Sequence, residues 1–210
     1  GKHRHNADQR NFTKIPSAPV AYWASKQIFH DFAHFPSMKS IAKPRKGLDT
    51  ADNDRFVRYW YEVKVNKVCF YAKSRSDAIN SKRKWFPLNS GGAFRKWYGN
   101  FSNVINWEND GYEIRNYERS YVRALEYYFQ EGISWTKISS SKLGVRYTPE
   151  GFVFDSAGQT IFPKSDQKLY ILGQLCSSVS FYLLNFLNPT LNYQVGDIER
   201  LPTIIDDSKK

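Results

Sequence analysis

KRKWFPLNSGGAFRKWYGNFSNVINW, residues 82–107, places two short strand candidates, 85–88 and 104–107, on either side of a Gly-Gly turn. Aromatic and β-branched residues in short runs punctuated by glycine favour strands over helix. The same stretch holds five cations and seven aromatic rings. Cations neutralise phosphates, and glycines let a backbone approach closely. Lys82, Arg83, Lys84, Gly91, Gly92, Arg95 and Lys96 are therefore candidate phosphate contacts. The aromatic rings read as packing that shapes the loop and covers a sheet edge.

Upstream, RFVRYWYEVKVNKVCFYAK at 55–73 alternates partly with period two, which predicts a pair of strands turning near Asn66. Residues 37–54 carry Pro44, Gly47 and an acidic cluster and read as a long loop. A short helix is expected over 25–35, capped by Ser25 and ended by Pro36. Residues 1–46 read as an N-terminal extension, 47–205 as the main domain and 206–210 as a disordered tail. The opening Gly1 is not a start methionine, so a longer natural protein is expected.

Downstream, Tyr117, Tyr121, Leu125 and Tyr128 fall near helical spacing and Gly132 follows, predicting a helix over 116–131. A longer helix is expected over 168–187. Its apolar run is broken by Gln174, Ser177, Ser178, Ser180 and Asn185, so it reads as a core helix and not a membrane span. Between the two lie short strands. The strand–turn–strand reading of 134–154 clusters Lys137, Ser139, Ser140, Ser141, Lys142 and Arg146 about a polar turn. A β-ribbon of that kind can enter a major groove, which makes these six the base-reading candidates. An ordinary polar hairpin explains the same residues equally well. The whole predicts an α+β fold, a twisted, mostly antiparallel sheet with packed helices.

Thirty-one Lys and Arg against 20 Asp and Glu give a net charge of +11 over 210 residues. That balance favours polyanionic partners, whether DNA, RNA or an acidic protein, and gives no indication of a membrane partner. Cys69 and Cys176 stand far apart, which suggests neither a disulfide framework nor a cysteine-based zinc site and fits a reducing cytoplasm. His30 and His34 have zincin spacing, but Asp31 stands where that chemistry needs glutamate. Glu62-Val63-Lys64 downstream of Asp49, Asp52 and Asp54 matches the order of a Mg-dependent nuclease core, yet a short pattern on the solvent face of a strand arises often by chance. Asn188-Pro189-Thr190 lacks the second proline and the aromatic of an amino-methyltransferase loop, and neither a glycine-rich cofactor loop nor a P-loop occurs. No catalytic residue, metal or cofactor is assigned to this chain.

Several long motifs taken together resemble one family. They are IPSAPVAYW at 15–23, KGLDTADNDRFVRYWYEV at 46–63, KWFPLNSGGAFRKWYGN at 84–100, INWENDGYEIRNY at 105–117, EGISWTKISSSKLGVRYTPEGFVFDSAGQTIFP at 131–163 and LNPTLNYQVGDIERLP at 187–202. The chain is similar to the C-terminal part of PglX, the adenine-specific DNA methyltransferase family of BREX phage defence. The family usually shows glycine in the loop where this chain has Ala51. The resemblance implies a target recognition domain like those following TaqI-type catalytic domains, which reads double-stranded DNA. It further implies a parent enzyme using S-adenosylmethionine for adenine-N6 methylation, with the catalytic part upstream of residues 1–46. Other BREX proteins or an acidic phage inhibitor that mimics DNA are implied as possible partners. The alternative from another class is a protein-interaction module docking such components through the same basic face.

Overall fold

Two four-stranded sheets organise the chain in a computed structural model that describes residues 8–17, 19–139 and 142–205. The expected tail at 206–210 and the start of the extension lie outside the described residues. In the first sheet, β1 (Pro44–Arg45), β8 (Thr160–Ile161), β5 (Gly132–Trp135) and β6 (Val145–Thr148) run antiparallel in the order β1-β8-β5-β6. In the second, the order is β2 (Val57–Tyr59), β4 (Asn103–Asn106), β3 (Trp85–Asn89) and β7 (Val153–Phe154), with β7 parallel to β3. The fold is α+β, with two sheets where one was expected.

Each sheet has its own core. Ile133, Trp135, Val145 and Ile161 of the first sheet pack with α1 (Lys26–His34), α2 (Met38–Ile41), α6 (Lys168–Cys176), α7 (Ser178–Leu187) and α8 (Val195–Glu199). Ile15, Ala21 and Phe29 are buried in that same core, so the described part of the extension packs as an integral layer. Phe86, Leu88, Ile105 and Trp107 of the second sheet pack with Phe56 of α3 (Asn53–Phe56), Ala78 of α4 (Arg75–Asn80) and Ile114 of α5 (Glu108–Arg115). Buried Asn89 joins the two sheets by donating to the Gly158 carbonyl at 3.1 Å and the Thr160 hydroxyl at 3.2 Å.

Three expected elements take other forms, each because local hydrogen bonds win over the pattern. Only Val57–Tyr59 of residues 55–73 pairs as a strand. Glu62 then accepts the Tyr59 backbone N–H at 2.7 Å, and the chain winds into 3-10 turns at Trp60–Glu62 and Val65–Lys67. Over 116–131 only a single 3-10 turn forms, at Leu125–Tyr127: α5 ends at Arg115, and Ala124 and Phe129 adopt left-handed φ values of 53° and 69°. The aromatic residues of that segment serve different neighbours, with Tyr117 on Phe56 and Tyr128 against Trp107. The long helix is two helices bent by 70° at Ser177, whose hydroxyl caps α7 by accepting from the Ser180 N–H at 3.1 Å. Among the described residues no single helix is long and apolar enough to cross a membrane.

Candidate nucleic-acid interface

The loop between β3 and β4 is anchored at its start by close packing. Gly91 is buried at φ 73°, and a Cβ there would sit 2.7 Å from the Ala157 carbonyl oxygen. Its glycine therefore answers a packing need inside the protein, which corrects its candidacy as a phosphate contact. Gly92 is exposed at φ 110°. From there the loop crosses onto the β5–β6 hairpin. The Thr136 hydroxyl donates to the Gly92 carbonyl at 3.2 Å, the Trp97 N–H donates to Val145 O at 2.8 Å, and the Tyr147 N–H donates to Trp97 O at 2.9 Å. The loop that holds the phosphate-contact candidates and the hairpin that holds the base-reading candidates, separate in sequence, are thus joined.

The cations divide by placement. Arg95 projects from that loop, exposed and without an ion pair among the described residues. Lys82 and Arg83 are equally exposed, but they precede β3 while the Gly-Gly turn follows it, so a five-residue strand separates the two groups. Lys84 is half-buried with its ammonium 5.8 Å from the centre of the Trp85 ring. Lys96 is a second correction. Its ammonium donates to the Cys176 carbonyl at 2.6 Å, where the C-terminus of α6 favours a cation, so it is committed to the fold.

On the hairpin, Lys142 is exposed and Lys137 half-buried. Lys137 is fixed by its backbone, which donates to Ala157 O at 3.0 Å and accepts from the Tyr193 N–H at 2.7 Å. The Ser139 hydroxyl donates to the Lys142 carbonyl, closing the turn. Ser140 and Ser141 lie outside the described residues. Arg146 is the third correction: it is fully buried, with Nη1 donating to the Thr136 hydroxyl at 3.0 Å and the Gly144 carbonyl at 3.1 Å. Burial and the nearby Arg95 charge bring its pKa down to about 10. A side chain so placed does not reach a base edge.

The nuclease pattern has a different structure from the one its spacing suggests. Glu62 and Lys64 stand on and after a 3-10 turn, off any strand, with the Glu62 carboxylate turned back to the Tyr59 N–H. Burial opposes ionisation of Asp49, but hydrogen bonds from Ser156 and Arg123 and the Lys46 charge hold its pKa below the usual range. Among the described residues no three His, Cys, Asp or Glu side chains converge as metal ligands. His30 and His34 stack at 4.1 Å between ring centres on α1.

Comparison with known proteins adds the decisive observation. Over 95% of its length the chain is 38% identical to the adenine-specific methyltransferase BrxX of Escherichia coli O9:H4 strain HS. The chain is similar to adenine-specific methyltransferases. The same identity, over 94% of the chain, relates it to the adenine-specific methyltransferase PglX of Lacticaseibacillus casei strain Zhang. The chain spans only 16% of the length of BrxX and 17% of that of PglX. No family profile matches the chain. Sequence reasoning found the cations but missed two signals. Thr136 and Gly144, which carry the loop across the hairpin, are small residues at a close approach, and nothing in their spacing announces the contact.

Proposed function

We propose that this chain is the double-stranded-DNA recognition part of a BREX adenine-N6 methyltransferase and reads a short sequence so that one adenine reaches a catalytic pocket elsewhere in the parent enzyme. The observation that carries this reading is the joining of the exposed Arg95 loop to the β5–β6 hairpin in a chain 38% identical to two adenine-specific methyltransferases. Phosphate contacts fix register and base-edge contacts give specificity, and those two tasks need adjacent, mutually rigid elements. Arg95, Lys82, Arg83 and Lys84 are assigned the phosphate role, with Gly92 at the loop surface. Lys137 and Lys142, with the serines of the turn, are assigned the base-reading role. S-adenosylmethionine would be bound by the parent enzyme, outside the part described.

Salt-titrated binding to target and random duplexes tests the assignment. Arg95→Ala should weaken both equally and lower the salt slope by about 1. Lys142→Ala should cost the target more than the random duplex, by about 1–3 kcal/mol. Equal losses on both duplexes for Lys142→Ala would remove the base-reading role. Failure to bind duplex at low salt would favour instead a module that docks an acidic protein.

A further inference from the structure

The second sheet is covered on one side by its core, and on its other face a layer of rings overlies buried Pro87 and Val104 and leaves a hollow between them. Pro87 and Val104 pair across β3 and β4 and floor an apolar hollow of about 350 Å³, walled by Trp60, Phe70, Phe101 and Phe152. The segment after β2, whose Trp60 and Phe70 line the hollow, exposes a run of rings: Trp60 is 47% exposed, Tyr61 65% and Tyr71 85%. Tyr59 and Tyr61 lie parallel, 5.3 Å between centres and 3° between planes. Monomeric proteins seldom leave so many large rings together in water without a partner for them.

The polar groups at this face say which partner suits it. Val65, which lines the hollow, lies between Lys64 and Lys67 on one short turn, and both lysines are exposed and make no ion pair among the described residues. The nearest carboxylate in sequence, Glu62, is held by the Tyr59 N–H. Asn103 brings an amide to the edge of the hollow. Cations interleaved with exposed rings match a strand of nucleotides, with phosphates on the lysines and bases on the rings, whereas an apolar protein surface would leave both ammonium groups without counter-charge.

We propose that this face is a stacking site for unpaired nucleotides, which takes bases displaced from a duplex. The proposal rests on the DNA-recognition reading: an enzyme that turns an adenine out of the helix leaves neighbouring bases unstacked. The site differs in chemistry from the Arg95 and hairpin surface, although Phe101, at the end of the same β3–β4 loop, forms one of its walls.

A short fluorescent oligothymidylate and a fully paired duplex, each titrated against the intact chain, test it. The oligonucleotide should bind and quench tryptophan emission. Trp60→Ala and, separately, Tyr71→Ala should each weaken that binding about fivefold or more while leaving the paired duplex unaffected. Tyr71 is so exposed that its replacement leaves the core intact, and circular dichroism checks both variants. Duplex binding without oligonucleotide binding, or oligonucleotide binding indifferent to both substitutions, overturns the stacking site and leaves duplex recognition standing. Binding of neither DNA overturns both. If a longer methyltransferase polypeptide shields Trp60 from an added quencher and the oligonucleotide does not bind, the face is a protein contact and the proposal fails.

Discussion

A guanidinium sealed inside β6 with no carboxylate beside it carries a desolvation cost of several kcal/mol. Arg146 is in that position, and its Nε and Nη2 find no hydrogen-bond partner among the described residues. The groups it does contact are satisfied without it. The Thr136 hydroxyl donates to Gly92 O, and the Gly144 carbonyl accepts the Thr136 N–H at 3.3 Å. Arg146→Met should therefore leave stability within about 1 kcal/mol of the parent or raise it, as read from urea unfolding. A loss of about 2 kcal/mol or more would show that the charge is held by a partner that the fold alone does not supply. The exposed cations were legible from composition, but the burial of Arg146 was not, because a strand position gives its face only once the pairing register is known. Ala51 makes the converse point. It sits at φ 57°, a left-handed conformation that costs an alanine about 1 kcal/mol and that glycine adopts freely.

At the scale of elements, ion pairs tie strands to helices that their sequences do not link. The Glu131 carboxylate, just before β5, meets the Lys168 ammonium at the start of α6 and accepts from the Tyr147 hydroxyl at 2.6 Å. The hydrogen bond from Lys168, then that from Tyr147, holds the Glu131 pKa below the usual range. A depressed folded-state pKa stabilises above the unfolded value and is lost as pH falls through the folded one. Glu131→Gln should therefore cost about 0.5–1 kcal/mol at pH 7, reduced by the partial exposure of the pair, and less near pH 3. Urea unfolding of both proteins at the two pH values measures this, and an equal cost at both would assign the effect to packing. Elements with strong local signals were readable: the strands about the Gly-Gly turn, the β5–β6 hairpin and the Ser25 cap, whose hydroxyl accepts the Ile28 N–H at 3.4 Å. The helix expected over 116–131 was not, since the spacing of its tyrosines arises from contacts with separate neighbours. The break at Ser177 could have been read from the Ser-Ser pair inside an apolar run.

The whole molecule sets two sheets side by side, with Asn89 between them and the loop after β3 crossing from the second sheet to the first. This arrangement joins the loop of Arg95 to the hairpin of Lys142, although the 46 residues between the two cations include β4, α5 and β5. Long-range placement of that sort depends on topology, so sequence named the two groups without revealing that they adjoin. It also leaves Lys82 and Arg83 at the far end of β3, so their phosphate contacts would fall on a different part of a bound duplex from those of Arg95. The proposed task of this chain is to read sequence in paired DNA. Repeated selection from a duplex library with a randomised centre, retained on the purified chain at moderate salt and then sequenced, tests that most directly. Enrichment of one short motif is expected, abolished by Lys142→Ala while Arg95→Ala lowers recovery without changing the motif. Recovery of duplexes with no shared motif, or no recovery at all, would contradict it.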